Sequence, residues 1–312
     1  MKLFAIISLL LSQAAGADLE TSHVTMYSFK SPYGVDWSSP SNLAVSAIKN
    51  TLAYKTGLTS NPRNIGHSAI KVSCQNLDGK QREIYTGMGS VNSNKEAIDL
   101  LWKNSALGVL LHRYKGELDK QVELISDIES GQKAGDINSV TYLIDHDKCE
   151  ELAAHYDEWI KRKAYLNYGL LEKPLEYTGA GCSAYAVSYL RRNNIAPEEH
   201  KKHWKRTVRI STKLVGPHNR LPYVNDQQEF HSPKKTEDGA NLLHLILSAN
   251  KWAAPNDEEV VELEFWSPDM MYNWTKKVAR QHKRDIAQKD ATPFKVEKTH
   301  KTFNVIFDTR SK

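Results

Sequence analysis

Cys182 follows Gly179-Ala180-Gly181 and opens the run CSAYAVSYLRR, which reads as a helix over 182–192. A cysteine at that position suits nucleophilic chemistry. A thiolate attacks carbonyls far better than a thiol, and the unpaired N–H groups and dipole of a helix N-terminus stabilise the anion. The same N–H groups can hold the oxyanion of a tetrahedral intermediate. The preceding glycines leave room for a substrate to reach the sulfur. A small buried residue that starts a helix, or half of a disulfide, is the plainer reading of the same position.

A cysteine nucleophile needs a base, usually histidine, oriented by a third group. Among the twelve histidines, His67 stands out because it follows Gly66 and opens the strand-like run Ala69-Ile70-Lys71-Val72. A histidine at the start of a strand can face a helix packed across the sheet. Taken alone it reads as a surface strand residue.

The elements that must position these two residues are legible in part. A helix is expected over 41–55 and a strand over 65–74. Asp78-Gly79 signals a hairpin, with a return strand over 81–87. Helical spacing appears at 93–104, a strand-like run at 107–114, a helix at 118–130 and a strand at 139–144. The clearest amphipathic helix spans 146–163, with Cys149, Leu152, Ala153, Tyr156 and Ile160 on one face, which makes Cys149 a core residue. Residues 165–181 read as a loop. Beyond 197 the chain is more basic, with a helix at 241–252, a strand at 258–266, a helix at 269–285 and a last strand at 302–308. Residues 18–40 and 214–240 show no clear period.

The order of the two reactive segments resembles a known group. His67-Ser68-Ala69-Ile70-Lys71-Val72, a turn, Ile84-Tyr85-Thr86, and later the helix Cys182-Ser183-Ala184-Tyr185-Ala186-Val187 are similar to the permuted papain-like hydrolases. That group includes relatives of NlpC-type peptidoglycan hydrolases and the lecithin retinol acyltransferases. The non-permuted enzymes carry the cysteine helix before the histidine strand; here the histidine comes first. The resemblance covers roughly residues 60–195. It implies an α+β fold of circularly permuted papain-like type, an antiparallel sheet flanked by helices. It also implies Cys182 as nucleophile and His67 as base. No cofactor and no metal is expected. The third group is where the chain departs: the acyltransferase branch has a second histidine on the return strand, and Tyr85 stands there. Tyr85, Glu83 and His112 are the candidates for orienting His67; alternation puts Glu83 and Tyr85 on one face.

Composition bounds the rest. The chain has 312 residues, 40% hydrophobic and 25% charged, with a net charge of +5. These values exclude disordered, collagen-like and coiled-coil classes, and the charge is too mild to argue for nucleic acid. Met1-Lys2, the apolar run Leu3 to Leu11 and the small residues Ala14-Ala15-Gly16-Ala17 describe a cleavable signal peptide over 1–17. The run is shorter than the ~20 residues of a membrane span. The expected organisation is therefore a signal peptide, a hydrolase domain over 18–196 and a basic extension over 197–312 packed on or near the cleft. Cys74, Cys149 and Cys182 are an odd set, giving one pair and one free thiol or three free thiols. If Cys74 and Cys149 pair, Cys182 is left over. His200-x-x-His203 has helical ligand spacing without an evident third ligand. The basic stretches 191–213 and 276–284 suit an anionic membrane or wall polymer, or a solvated surface.

The expected function is an exported cysteine hydrolase of a peptide or peptidoglycan amide. A lipid-directed thioesterase, phospholipase or acyltransferase of the same fold is the second reading, and a non-catalytic envelope-binding protein the third.

Overall fold

A computed structural model of the chain describes residues 21–59, 61–75, 81–91, 97, 106–215, 240–248, 250–258, 260–287 and 293–310. The expected signal peptide and most of the expected 93–104 helix lie outside these residues. In chain order the elements are β1 (His23–Phe29), α1 (Pro40–Lys55), β2 (His67–Gln75), β3 (Gln81–Ser90), β4 (Tyr114–Leu118) and α2 (Gln121–Ala134). They continue with β5 (Ile137–Leu143), α3 (His146–Lys161), β6 (Asn167–Tyr168), α4 (Cys182–Arg191), α5 (Glu198–Lys202) and β7 (Lys205–Ser211). The last are α6 (Thr212–Val215), α7 (Leu242–Leu247), β8 (Val260–Trp266), α8 (Pro268–Ala287), β9 (Phe294–Thr299) and β10 (Thr302–Asp308).

The class is α+β. One sheet runs in the order β6-β4-β3-β2-β1-β5-β10-β9, and β7 and β8 form a separate ribbon. The sheet is mixed rather than wholly antiparallel, because β10 pairs parallel to β5, with Val305 opposite Val140. Alternation along the strands sorts the side chains onto two faces. On one face Val24, Met26, Ile70, Val72, Val140 and Tyr142 meet α3, α4 and α8 in the main core. On the other, Phe29, Ala69 and Ile137 pack with Leu124 and Ile128 of α2. A second cluster joins Leu43 of α1, Leu107, Leu111, Val208, Leu245 and Phe265.

Several elements differ from the sequence reading. Residues 107–114 do not form a strand. The apolar run folds into a 3-10 turn, Ala106–Leu110, which buries Leu107 and Leu111 in the second cluster. The strand begins at Tyr114 and carries Gly116, where a Cβ would meet the Tyr165 carbonyl oxygen at 2.3 Å. In α3 the buried stripe includes Trp159, and Ile160 is exposed. Strands β1, β6, β7 and β9 have no counterpart in the reading. Of residues 197–312, β9 and β10 extend the main sheet itself, while Lys205, Glu264, Phe265 and Trp266 of the ribbon line the cleft described below. Among the described residues no helix is long and apolar enough to cross a membrane.

Cys74 of β2 and Cys149 of α3 form a disulfide with a Cα–Cα distance of 5.5 Å, and Cys182 is the free cysteine. Both linked residues are fully buried. The bond closes a loop of 75 residues, for which chain entropy gives about 4.5 kcal/mol of stabilisation. Replacing Cys74 and Cys149 together by alanine should remove stability of that order in urea unfolding while leaving Cys182 open to alkylation. An unchanged unfolding midpoint would contradict this.

Candidate active site

Two contacts seat the first turn of α4 on β2 and β3. Ser68 Oγ and Ser183 Oγ are 2.9 Å apart, and the Tyr185 hydroxyl lies 3.0 Å from Thr86 Oγ1 on β3. Cys182 is the first residue of α4 and His67 the first of β2. The chain before His67 is pinned as well: the Gly66 N–H donates to Ser31 Oγ at 2.8 Å, and Ser31 donates through its own N–H and hydroxyl to Asp269 at the start of α8.

The Cys182 sulfur lies against the His67 imidazole, the Tyr168 hydroxyl and the Ser68 backbone N–H, with Ser183 Oγ at 3.8 Å. The backbone N–H of Cys182 donates to the Tyr168 oxygen. His67 Nε2 is 2.8 Å from Asp119 Oδ2, which leaves Nδ1 as the nitrogen for the thiol. Arg63 donates from Nη1 to the other Asp119 oxygen at 3.2 Å and from Nη2 to Asp127 at 2.8 Å. Asp119 is further fixed by its N–H, which donates to the Gly87 carbonyl at 2.9 Å. The Phe29 ring lies tilted against His67 at 5.8 Å.

Asp119 therefore fills the orienting position for which Tyr85, Glu83 and His112 were the candidates. The register shows why Tyr85 does not fill it. Tyr85 pairs with Lys71, four residues along β2 from His67, which at strand rise is about 13 Å. Glu83 binds Lys71 Nζ at 2.6 Å, and His112 lies before β4 with its ring edge-on to Tyr114. His200 and His203 pack against Trp274, and His200 shares a hydrogen bond with Tyr142 at 2.9 Å.

Electrostatics follow from this arrangement. Burial raises the Cys182 pKa, but the His67 hydrogen bond and charge, the Tyr168 hydroxyl and the Ser68 N–H outweigh it and bring the thiol down to about 7. Burial and the Arg63 charge push His67 down, but Asp119 and the thiol outweigh them and raise it to about 9. Burial raises Asp119, but His67 and Arg63 hold it well below the usual carboxylate range. Both shifts run toward a thiolate beside an imidazolium, the state that attacks a carbonyl and then supplies a proton.

The pair opens into a cleft of about 1740 Å³. Its walls are largely apolar, with Trp37, Leu107, Leu110, Leu170, Leu171 and Trp266 among them. Sequence reasoning missed Asp119, Tyr168 and Arg63. Asp119 fell inside the expected 118–130 helix, although it stands just before α2, whose N-cap is Lys120. Tyr168 fell in the 165–181 loop, whose ends pair: Ala180 N–H donates to the Asn167 carbonyl at 3.1 Å. The flanking glycines were the available signal. At Gly179, with φ of 143°, a Cβ would meet the Asn167 oxygen at 2.4 Å.

No family model, curated protein or solved structure matches the chain.

Proposed function

We propose that the chain is an exported cysteine hydrolase of circularly permuted papain-like topology, cleaving an amide or ester through an acyl-enzyme. The observation that carries this is the Cys182–His67–Asp119 arrangement, with the thiol pKa lowered and the imidazole pKa raised. The Cys182 thiolate attacks the carbonyl carbon, and the C=O electron pair moves to oxygen. The Cys182 N–H and the Tyr168 hydroxyl, now bonded to each other and to the sulfur, lie beside this oxygen and turn to it as the thiolate is consumed. The His67 imidazolium gives its proton to the departing amine or alcohol, leaving a thioester on Cys182. His67, now neutral, takes a proton from water; the hydroxide attacks the thioester, and the thiolate departs. Asp119 accepts from Nε2 throughout, which fixes the ring and stabilises its cation.

A peptide or peptidoglycan amide is the first substrate reading, by resemblance. The apolar cleft walls favour a second, an acyl lipid cleaved as ester or thioester. Export is supported by the buried disulfide, a feature of oxidising compartments. A panel of wall peptides, acyl esters and acyl thioesters incubated with wild type and Cys182→Ala tests the proposal. Turnover of at least one member by wild type, and of none by the variant, is expected. Equal turnover by both would refute it. An unreactive Cys182 thiol at neutral pH would favour the non-catalytic binding protein instead.

A further inference from the structure

Large apolar side chains exposed singly are normal on a protein surface, but several here converge on one opening. Leu52 is 57% exposed, Tyr54 46%, Ile65 44%, Val122 81% and Leu175 38%. All five border the Cys182 cleft, and they come from four separate segments: α1, the loop before β2, the first turn of α2 and the turn before α4. Leu58, just past α1, is 74% exposed. Each of three segments adds a lysine near its apolar residue: Lys55 beside Tyr54, Lys120 before Val122 and Lys173 before Leu175.

We propose that this rim is a docking surface for a lipid layer, which lets Cys182 act on acyl groups presented at a membrane–water interface. The second clause rests on the hydrolase reading; the first stands on the surface alone. Exposed apolar side chains beside a cleft mouth gain by burial beneath the headgroups. The adjacent lysines have flexible stems that reach headgroup level while their neighbours insert. Lys120 and Lys173 are exposed and already share charge with Glu123 and Glu176, and Glu117 also borders the cleft. The rim is thus close to balanced in charge, and apolar insertion is its attraction. The exposed face of α8, with Lys277, Arg280 and Lys283, is the opposite case, since it is dominated by charge, with Ile286 its exposed large apolar side chain among the described residues.

That contrast sets the test. Purified protein is floated with phosphatidylcholine vesicles, and with vesicles that also contain anionic phosphatidylserine, at low and high salt and compared with a Leu52→Ser, Val122→Ser, Leu175→Ser variant and with Val122→Glu alone. Wild type should partition onto the vesicles at both salt concentrations, and the triple variant should lose about a hundredfold in partition. Val122→Glu, a change at an exposed position, should lose much of it without altering the thermal midpoint. Cys182→Ala should bind as wild type does, so a failed hydrolase reading leaves the binding result standing. The proposal is overturned if wild type does not float or if the rim variants bind equally. Binding only to anionic vesicles and abolished by salt would overturn it in favour of the α8 face. Self-association that the rim variants dissolve, without flotation, would make the occupant a second copy.

Discussion

Asp119→Ala is expected to lower kcat/KM by about 10²–10⁴-fold while the thiol remains in place. The carboxylate is the partner of His67 Nε2 at 2.8 Å and the main influence that raises the imidazole pKa. Without it the ring loses its fixed orientation, Arg63 is left beside the imidazole, and the imidazolium needed for leaving-group protonation is disfavoured. Asp119→Asn is the informative companion. An amide oxygen still accepts from Nε2, so orientation survives, but the negative charge does not. Its loss should therefore be smaller, and the alkaline limb of the pH–rate profile should move down from about 9. Steady-state kinetics across pH on the substrate found by panel screening checks both. If Asp119→Ala keeps wild-type kcat/KM, Asp119 is not the orienting group.

Gly87→Ala should be nearly as damaging although Gly87 carries no reactive atom. A Cβ there would lie 2.1 Å from Asp119 Oδ2 and 3.2 Å from His67 Nε2. The Asp119 side chain is short and held by Arg63, and its N–H bonds the Gly87 carbonyl. It can yield only by leaving His67. The expected result is a fall of about 10²-fold or more in kcat/KM, with stability reduced by a few kcal/mol at most. The Gly89→Ala control should cost far less, because its Cβ would come no closer than 3.8 Å to the same carboxylate. Equal activity of wild type and Gly87→Ala would show that the His67–Asp119 contact is dispensable.

The reactive pair was legible because both residues sit where local pattern is strongest. Cys182 begins a well-formed helix after glycines, and His67 begins a strand of buried β-branched and small residues. The β2–β3 hairpin, α3, α8 and β10 follow the same logic, each with its own periodicity. Asp119 was not legible because its position depends on where β4 begins. The run LGVLLHRY has the composition of a strand, yet Leu107 and Leu111 are consumed by a second core cluster that includes β7 and β8, about 100 and 150 residues away. With the strand drawn too early, Asp119 falls into a helix and points nowhere. Tyr168 was hidden for a related reason: β6 is two residues long, too short for any period, and is held by cross-loop bonds rather than by pattern. The mixed sheet also escaped local reading, since a parallel β5–β10 pairing joins segments on either side of more than half the fold.

The most direct test of an activated Cys182 is its alkylation rate by iodoacetamide as a function of pH, followed by mass spectrometry in wild type and His67→Ala. Cys74 and Cys149 are bonded to each other, so the signal belongs to one thiol. Wild type should show a half-titration near 7. In His67→Ala burial acts without the imidazolium, and the midpoint should rise above the ordinary cysteine value of about 8.5, with a large loss of rate at neutral pH. Identical midpoints in the two proteins, or a wild-type thiol unreactive below that ordinary value, would contradict the account.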